Sequence, residues 1–414
     1  MGAFVGGALV ADLGGEYRVF IGHKTKITLP VGLVRRADFL WVGVADVGDV
    51  LAIDGVGGSF FQVVGPVKPG DQGDGFGVVG LDNGDGLFVD GFPLRPGGYA
   101  QAAIEHGQTQ YTPALGLDAL RQAISGWYAQ RFGVQVPASR IVVTAGASAA
   151  LQLACLALIN RGDEILMPDP SYPCNRHFVS AAEGTAVLLP TTAQERFQLS
   201  AAKVAEAWGP QTRGVLLASP SNPTGTSIDP AELARIVQVV RGHGGITLID
   251  EIYLGLSHDD AFGQSALALG DDIISINSFS KYFNMTGWRL GWLVVPEALT
   301  PVLERLAQNL FICASTVAQQ AALACFAPES LAEYERRRAE FKARRDYFIP
   351  ALNDLGLTVP VAPDGAFYAW ADCTAACQKL GLKDSWAFAF AALEHAHVAI
   401  TPGRDFGTDQ TARF

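Results

Sequence analysis

The sequence predicts an α/β fold, a doubly wound and mainly parallel sheet followed by a smaller C-terminal α/β domain. Strand and helix patterns alternate from about residue 117 to about residue 295, as they do in such sheets. Two apolar runs, Gly214–Ala218 and Ile246–Ile249, lack the alternation of a half-exposed strand and therefore indicate strands buried on both faces. A chain of 414 residues is long enough for two or more cores.

Local signals locate the helices between and after these strands. Val142–Leu151 combines a strand, a turn of small residues and the start of an Ala- and Leu-rich helix. Asp229 and Pro230 form an N-cap and a first helical position, which predicts a helix starting there. Pro296 opens a long helical region that includes the charged stretch 333–345.

Three segments are predicted along the chain. Residues 99–295 form the large domain, and residues 296–414 form the smaller one, in which apolar stretches such as Gly365–Trp370 supply strands. Residues 1–98 differ from both in composition.

Polar side chains follow the predicted strands at one end of the sheet. Asn222 follows the first apolar run, Asp250 and Tyr253 follow the second, and Lys281 follows the β-rich run Asp272–Asn277. Ligands of open α/β sheets bind outside the carboxyl ends of the strands. This set suits a pyridine aldehyde, because a lysine can form an imine and a carboxylate can keep the ring nitrogen protonated. The amide and the phenol can hydrogen-bond the ring oxygen.

A phosphate site is predicted beside the lysine. The hydroxyls of Ser278 and Ser280 precede Lys281, and Arg289 follows eight residues later. Hydroxyls and a guanidinium suit an anionic phosphate. Considered alone, Lys281 also fits an ordinary loop lysine on the surface, and the polar residues at the preceding strand ends argue against that interpretation.

The chain resembles the fold-type-I pyridoxal-phosphate (PLP) aminotransferases, the class I/II aminotransferase family. The motifs are Asn-Pro-Thr-Gly from Asn222, Asp-x-x-Tyr from Asp250, and Ser-x-Ser-Lys ending at Lys281 with an Arg eight residues later. The resemblance extends from about Gln101 to Phe414. It implies that Lys281 is the Schiff-base lysine and proton shuttle and that Asp250 pairs with the pyridinium.

The same resemblance implies the remaining contacts of the cofactor. Residues assigned to PLP binding are Gly146, Ala147, Ser148, Tyr172, Asn222, Asp250, Tyr253, Ser278, Lys281, Arg289 and Tyr111. Gly146 to Ser148 resemble a phosphate cup at a helix N-terminus, which offers free N–H groups. Tyr172 would stack on the cofactor ring. Tyr111 lies in a loop that reaches across a dimer interface in the family, so a homodimer with shared active sites is implied.

Composition and sequence argue against nucleic acids and membranes as partners. A net charge of −11 and a pI near 5.1 argue against a nucleic-acid surface. No run reaches the ~18–20 apolar residues of a membrane span, and the first residues lack the basic start of a signal peptide. The six cysteines are dispersed, which favours reduced thiols in the cytoplasm, and Cys373 and Cys377 are interpreted as packing residues rather than metal ligands.

The first 98 residues depart from the family. Half of the chain's 46 glycines lie within the first 100 residues, and no family-like opening segment is found there. A Gly-rich segment loses much entropy on folding and buries little. We favour the hypothesis that residues 1–98 are a wrong-frame translation of a GC-rich gene. The alternative is an extra β-rich domain, built from runs such as Tyr17–Ile21.

The other end is expected to be short. Thr401–Gly407 matches the turn before the family's last strand, which carries the arginine that binds the substrate's α-carboxylate. Counting from Gly407 places that arginine about two residues beyond Phe414, so neither Arg404 nor Arg413 is assigned to it. The expected consequences are weak PLP binding and slow transamination.

The resulting functional prediction is an aminotransferase of amino-acid metabolism, which moves an amino group from an amino acid to a 2-oxo acid. A PLP-dependent β-lyase or decarboxylase of the same fold is an alternative, because the fold does not determine the reaction. An inactive aminotransferase fragment is another. A PLP-sensing DNA-binding regulator is disfavoured, since residues 1–100 contain no helix-turn-helix pattern.

Overall fold

The computed structural model of the chain describes residues 96–414 and six strands before them. These strands are β1 Gly2–Val5, β2 Ala8–Asp12, β3 Glu16–Ile21, β4 Thr25–Pro30, β5 Trp41–Gly43 and β6 Ala52–Asp54. Strands β1 to β4 form an antiparallel sheet in chain order, and β5 pairs with β6. The run Tyr17–Ile21 of the β-rich alternative therefore lies in a strand. The wrong-frame hypothesis falls mostly on residues outside those described and stays a prediction.

The chain divides into two compact units. One contains Met1–Gly80 and Ala389–Thr401, and the other contains Leu81–Phe388 and Pro402–Phe414. The predicted boundary at residues 295 and 296 lies within the second unit and stays a prediction.

Strands and helices alternate from residue 96 onward. The helices are α1 Pro96–Glu105, α2 Asp118–Phe132, α3 Ala147–Leu158, α4 Pro173–Ala181, α5 Ala201–Ala207, α6 Pro230–Gly242, α7 Thr300–Leu310, α8 Thr316–Leu323, α9 Pro328–Asp354, α10 Thr374–Leu380 and α11 Ser385–Ala396. The strands are β7 Ile141–Thr144, β8 Glu164–Asp169, β9 Thr185–Pro190, β10 Thr212–Ala218, β11 Ile246–Asp250, β12 Ile274–Ser278, β13 Gly291–Val294, β14 Trp370–Asp372, β15 Thr401–Pro402 and β16 Thr411–Arg413.

Strands β7 to β13 form one sheet in the order β7-β13-β12-β11-β10-β8-β9. Neighbours run parallel from β12 to β9, and only β13 is antiparallel to its two partners. The predicted mainly parallel α/β sheet is confirmed. In parallel strands the carboxyl ends meet at one edge, and Ala218, Asp250 and Ile276 lie side by side there.

The sheet is buried on both faces, as the continuous apolar runs predict. Successive residues of a strand point to opposite faces. Leu216 and Leu248 accordingly pack in one core, with helix α3, while Leu217 and Ile249 pack in the other, with helix α2. Helices α2 and α3 thus cover opposite faces of the sheet.

Helix α6 begins where the sequence predicts. The Asp229 carboxylate accepts hydrogen bonds from the N–H groups of Ala231 and Glu232, which otherwise have no partner inside the helix. The long helical region predicted after Pro296 consists of three helices, α7, α8 and α9.

A small antiparallel sheet holds the last strand of the chain. Strand β14 pairs with β16 from Trp370↔Arg413 to Asp372↔Thr411. A third core lies beside β14, and Cys373 and Cys377 are buried in it, as expected of packing residues. All six cysteines have free thiols. Among the described residues, no helix is both long enough and apolar enough to cross a membrane.

Candidate active site

Three neighbouring parallel strands bring the predicted polar residues to one edge of the sheet. Asp250 is the last residue of β11, Asn222 follows β10, and Lys281 follows β12. Tyr253 lies in the turn after β11, and the Lys281 Nζ is 5.6 Å from the centre of the Tyr253 ring. The edge therefore gathers an amide, a carboxylate, a phenol and an amine.

Asp250 is a buried carboxylate at the end of β11. Its Oδ1 accepts a hydrogen bond of 3.0 Å from the N–H of Ile252. Burial raises the pKa of Asp250 to about 7, and the charge of Glu251 adds to the rise, while the Ile252 N–H and the charge of Lys281 oppose it. A carboxylate held in this way gains most from a cationic partner, since burial disfavours an uncompensated charge.

Lys281 is half-buried between aromatic rings. Its Nζ is 5.6 Å from the centres of both the Tyr253 and Phe367 rings. Burial and then the charge of Arg413 lower the pKa of Lys281 to about 8; Asp250 opposes this and Arg289 contributes to it. About a tenth of the amine is therefore unprotonated at pH 7, far more than at the ordinary lysine pKa, and only that form is a nucleophile.

Gly146 and Arg289 lie together at the start of helix α3, a place that could hold an anion. Gly146 adopts φ of +88°, and a Cβ on it would lie 2.6 Å from the Arg289 Nη2. The Arg289 Nη1 donates to the Thr286 carbonyl at 3.0 Å and to the Ser280 Oγ at 3.4 Å. Helix α3 starts at Ala147, so its free N–H groups lie next to this guanidinium.

The other predicted phosphate ligands differ in their surroundings. Ser148 is exposed in the first turn of α3, whereas Ser278 is buried. The Ser278 hydroxyl donates to the Leu290 carbonyl at 3.3 Å and accepts the Ser280 N–H at 3.0 Å. A phosphate at this place would compete with Leu290 for the Ser278 proton.

The two remaining predicted tyrosines occupy different settings. Burial raises the pKa of Tyr172, and Cys174, Tyr368 and Asp250 add to the rise, so Tyr172 lies close enough to feel the charge of the buried carboxylate. Tyr111 is 79 % exposed, so its side chain is accessible for contact with a second chain.

Two residues of this edge were missed by the sequence analysis. Arg413, on β16, is only 8 % exposed, and its Nη1 donates to the Asn222 Oδ1 at 3.0 Å. Its guanidinium lies 4.7 Å from the centre of the Tyr368 ring and 4.9 Å from that of Phe406. Strand β16 starts at Thr411, only four residues after Gly407, and it brings Arg413 to this edge, where the count from Gly407 had assigned it no role.

In the sequence, Tyr368 stands out only as part of the apolar stretch Gly365–Trp370. Its hydroxyl lies 2.6 Å from the Tyr253 hydroxyl. No spacing within the sequence links Tyr368 to Tyr253, since the contact spans 115 positions along the chain.

A lysine, a carboxylate and an anion cradle at the strand ends of an α/β sheet define a class of enzyme that uses a phosphorylated aldehyde cofactor. The family model "Aminotransferase class I and II" matches residues 78–414. The chain belongs to this family, and it is a PLP-dependent aminotransferase. The match begins before Gln101, the start of the resemblance that the motifs predict.

Named relatives and solved structures agree with this assignment. The valine–pyruvate aminotransferase of Mycobacterium tuberculosis is 39% identical over 316 residues, which cover 76% of this chain and 80% of the relative. The aspartate aminotransferase of Geobacillus stearothermophilus is 31% identical, covering 81% and 86%. A crystal structure of an aminotransferase from Mycobacterium tuberculosis matches at TM-score 0.72 and 38% identity, over 77% of this chain and 82% of that one.

Proposed function

We propose that Lys281, Asp250 and Tyr253 carry the chemistry of this aminotransferase, and that the cradle of Gly146, Ala147, Ser148, Ser278 and Arg289 holds the phosphate of PLP. The observation that carries the proposal is the Lys281 amine, whose pKa is lowered to about 8 within reach of the Asp250 charge. PLP supplies an electron sink when bound. The protein's own groups bind and orient it and move the proton.

Each group has a stated task in this proposal. Asp250 pairs with the ring nitrogen. A positive charge on that nitrogen offsets the cost of burying the Asp250 carboxylate, the same burial that raises the pKa of Asp250. Asn222 and Tyr253 hydrogen-bond the ring oxygen, and Tyr172 stacks on the ring. Lys281 carries the proton between the substrate's Cα and the cofactor.

Arg413 is proposed to bind the substrate's α-carboxylate. It is a buried cation, close enough to Lys281 to lower the pKa of the amine. Its Nη1 donates to the Asn222 Oδ1, and a guanidinium can pair with a carboxylate through two parallel N–H groups. A carboxylate bound there would lie beside the amine that takes the α-proton.

The spectrum of the purified protein with PLP tests the lysine. We expect a visible absorption band that is lost in Lys281→Ala and retained in Lys379→Ala, an exposed lysine on α10. A band that survives in Lys281→Ala would overturn the assignment. Incubation with an amino acid and a 2-oxo acid, with both products followed, separates transfer from elimination and decarboxylation. Valine with pyruvate is the first pair to test, since the Mycobacterium tuberculosis relative is named for it.

The working form is proposed to be a cytoplasmic homodimer in which Tyr111 reaches the partner's cofactor. Tyr111 is one of several exposed apolar side chains, which include Ile104 on α1, Leu310 at the end of α7 and Ile312 just after it. The Thr316 hydroxyl donates to the Gln110 carbonyl at 2.6 Å and joins the two parts of this face. Buried against a second copy, these side chains would stabilise the pair.

A subunit-mixing experiment tests the shared site. Lys281→Ala subunits retain Tyr111, and Tyr111→Ala subunits retain Lys281. If Tyr111 acts across the interface, a mixed dimer regains one site with both residues, and the mixture is more active than either variant alone. Activity of the mixture equal to the average of the two variants would contradict the shared site.

A further inference from the structure

Tyr253 has a second tyrosine as its partner. The Tyr253 and Tyr368 hydroxyls lie 2.6 Å apart, which is a strong hydrogen bond, and the geometry is compatible with a proton from either. Their rings meet edge to face at 5.5 Å between centres. Burial raises the pKa of both phenols, so both carry their proton near neutral pH.

The direction of this bond follows from counting protons. A tyrosine hydroxyl has one proton to donate and two lone pairs to accept with. If Tyr253 donates its proton to the ring oxygen of PLP, it has none left for Tyr368. The proton between the two hydroxyls must then belong to Tyr368.

We propose that Tyr368 is a positioning residue: its hydroxyl donates to the Tyr253 oxygen and thereby directs the single Tyr253 proton toward the ring oxygen of the cofactor. This inference rests on the role proposed above for Tyr253. Chains of hydrogen bonds polarise one another, so an accepted bond also makes Tyr253 a stronger donor.

The ring of Tyr368 has a separate contact. Arg413 lies over it at 4.7 Å, and the charge of Arg413 lowers the pKa of both phenols while that of Asp250 raises it. The two contacts can be separated by substitution. Tyr368→Phe removes the hydroxyl and keeps a ring beneath Arg413, whereas Tyr368→Leu removes both.

The test follows the absorption of bound PLP as a function of pH in the holoenzyme. A donor at the ring oxygen favours the more negative form of the cofactor, so its loss moves the midpoint of the absorption change to higher pH. We expect a rise of about 1 pH unit or more in Tyr253→Phe, from a hydrogen bond to a charged group. In Tyr368→Phe the rise should be about 0.2–0.5 pH unit, since the Tyr253 bond is weakened rather than removed.

The double variant makes the test specific. Tyr368→Phe should have no further effect in the Tyr253→Phe protein, because the proton that it directs is gone. Equal shifts in both backgrounds, or no shift in Tyr368→Phe, would overturn the inference. A missing shift in Tyr253→Phe itself would instead overturn the proposed role of Tyr253. Tyr334→Phe, at another buried tyrosine, is the matched control and should leave the midpoint unchanged.

A second readout separates the hydroxyl from the ring. Tyr368→Phe should keep the donor concentration that half-saturates the enzyme within about twofold, since the ring under Arg413 remains. Tyr368→Leu should raise that concentration several-fold and should also show the midpoint shift. Equal half-saturation in Tyr368→Leu and the wild type would show that the ring does not support Arg413.

Discussion

Replacing Arg413 by lysine is the sharpest test of the proposed carboxylate site. Lysine keeps the positive charge but lacks the planar guanidinium, so the substitution tests the contribution of the two parallel hydrogen bonds to the carboxylate. It also gives up the stacking of the guanidinium on Tyr368 and Phe406. The Asn222 Oδ1 loses its 3.0 Å bond from Nη1 unless the ammonium reaches it.

The expected magnitude follows from one lost charge-assisted bond. Such a bond contributes about 1.5–3 kcal/mol, which corresponds to about 10- to 150-fold in affinity. The half-saturating concentration of the amino-acid donor should rise by that factor in Arg413→Lys. The maximal rate should fall as well, because the carboxylate contact also orients the Cα–H bond.

The assay is the single-turnover reaction of the PLP-loaded enzyme with a donor, followed by the loss of visible absorption over a range of donor concentrations. Arg404→Lys is the control, since Arg404 is 51% exposed and lies 4.0 Å from Asp409 at the surface. Its half-saturating concentration should stay within about twofold, as for other exposed pairs. If Arg413→Lys and Arg404→Lys behaved alike, Arg413 would not be the carboxylate ligand.

Four further predictions concern the cofactor site. Asp250→Ala should retain PLP through the phosphate cradle and slow α-proton exchange by about 10²-fold or more, measured by deuterium uptake at Cα; unchanged exchange would exclude the ring-nitrogen role. The rate at which the apoprotein captures PLP should rise with pH up to about 8, because the pKa of Lys281 is lowered to that value and only the free amine reacts. In Arg413→Gln this profile should move to higher pH, since a neighbouring positive charge is removed. A wild-type profile still rising at pH 10 would contradict the lowered pKa of Lys281, and an unchanged profile in Arg413→Gln would contradict the effect of the Arg413 charge. Gly146→Ala should weaken PLP binding about tenfold by strain at φ +88° and by displacing Arg289, measured by titration, while Gly126→Ala, with nothing within 4 Å of the added Cβ, should bind PLP normally.

The sheet and its polar edge could be predicted because both depend on local patterns. Buried parallel strands leave continuous apolar runs, and Asp250 follows such a run directly. Once the strands are parallel, their carboxyl ends must meet, and the positions of Asn222 and Lys281 follow without knowledge of any side-chain contact.

Arg413 and Tyr368 could not be predicted in the same way. Arg413 reaches Asn222 because β16 pairs with β14, opposite Trp370, and this register depends on tertiary packing. The bond between Tyr368 and Tyr253 likewise joins segments 115 residues apart. Counting from the turn at Gly407 could not place Arg413 at this edge, since loop length is not fixed by the strand pattern that follows it.

Arg413 would influence the pKa of the Lys281 amine in two ways, before and after the substrate binds. Free of substrate, its charge lowers the pKa of Lys281, which keeps the amine nucleophilic for capture of the cofactor. A carboxylate bound to Arg413 would cancel much of that charge, and the pKa of Lys281 would then rise. A more basic amine is a better acceptor for the α-proton, so substrate binding would prepare the lysine for the proton transfer. The shift of the capture profile in Arg413→Gln measures the first half of this coupling, and without that shift the second half has no physical basis.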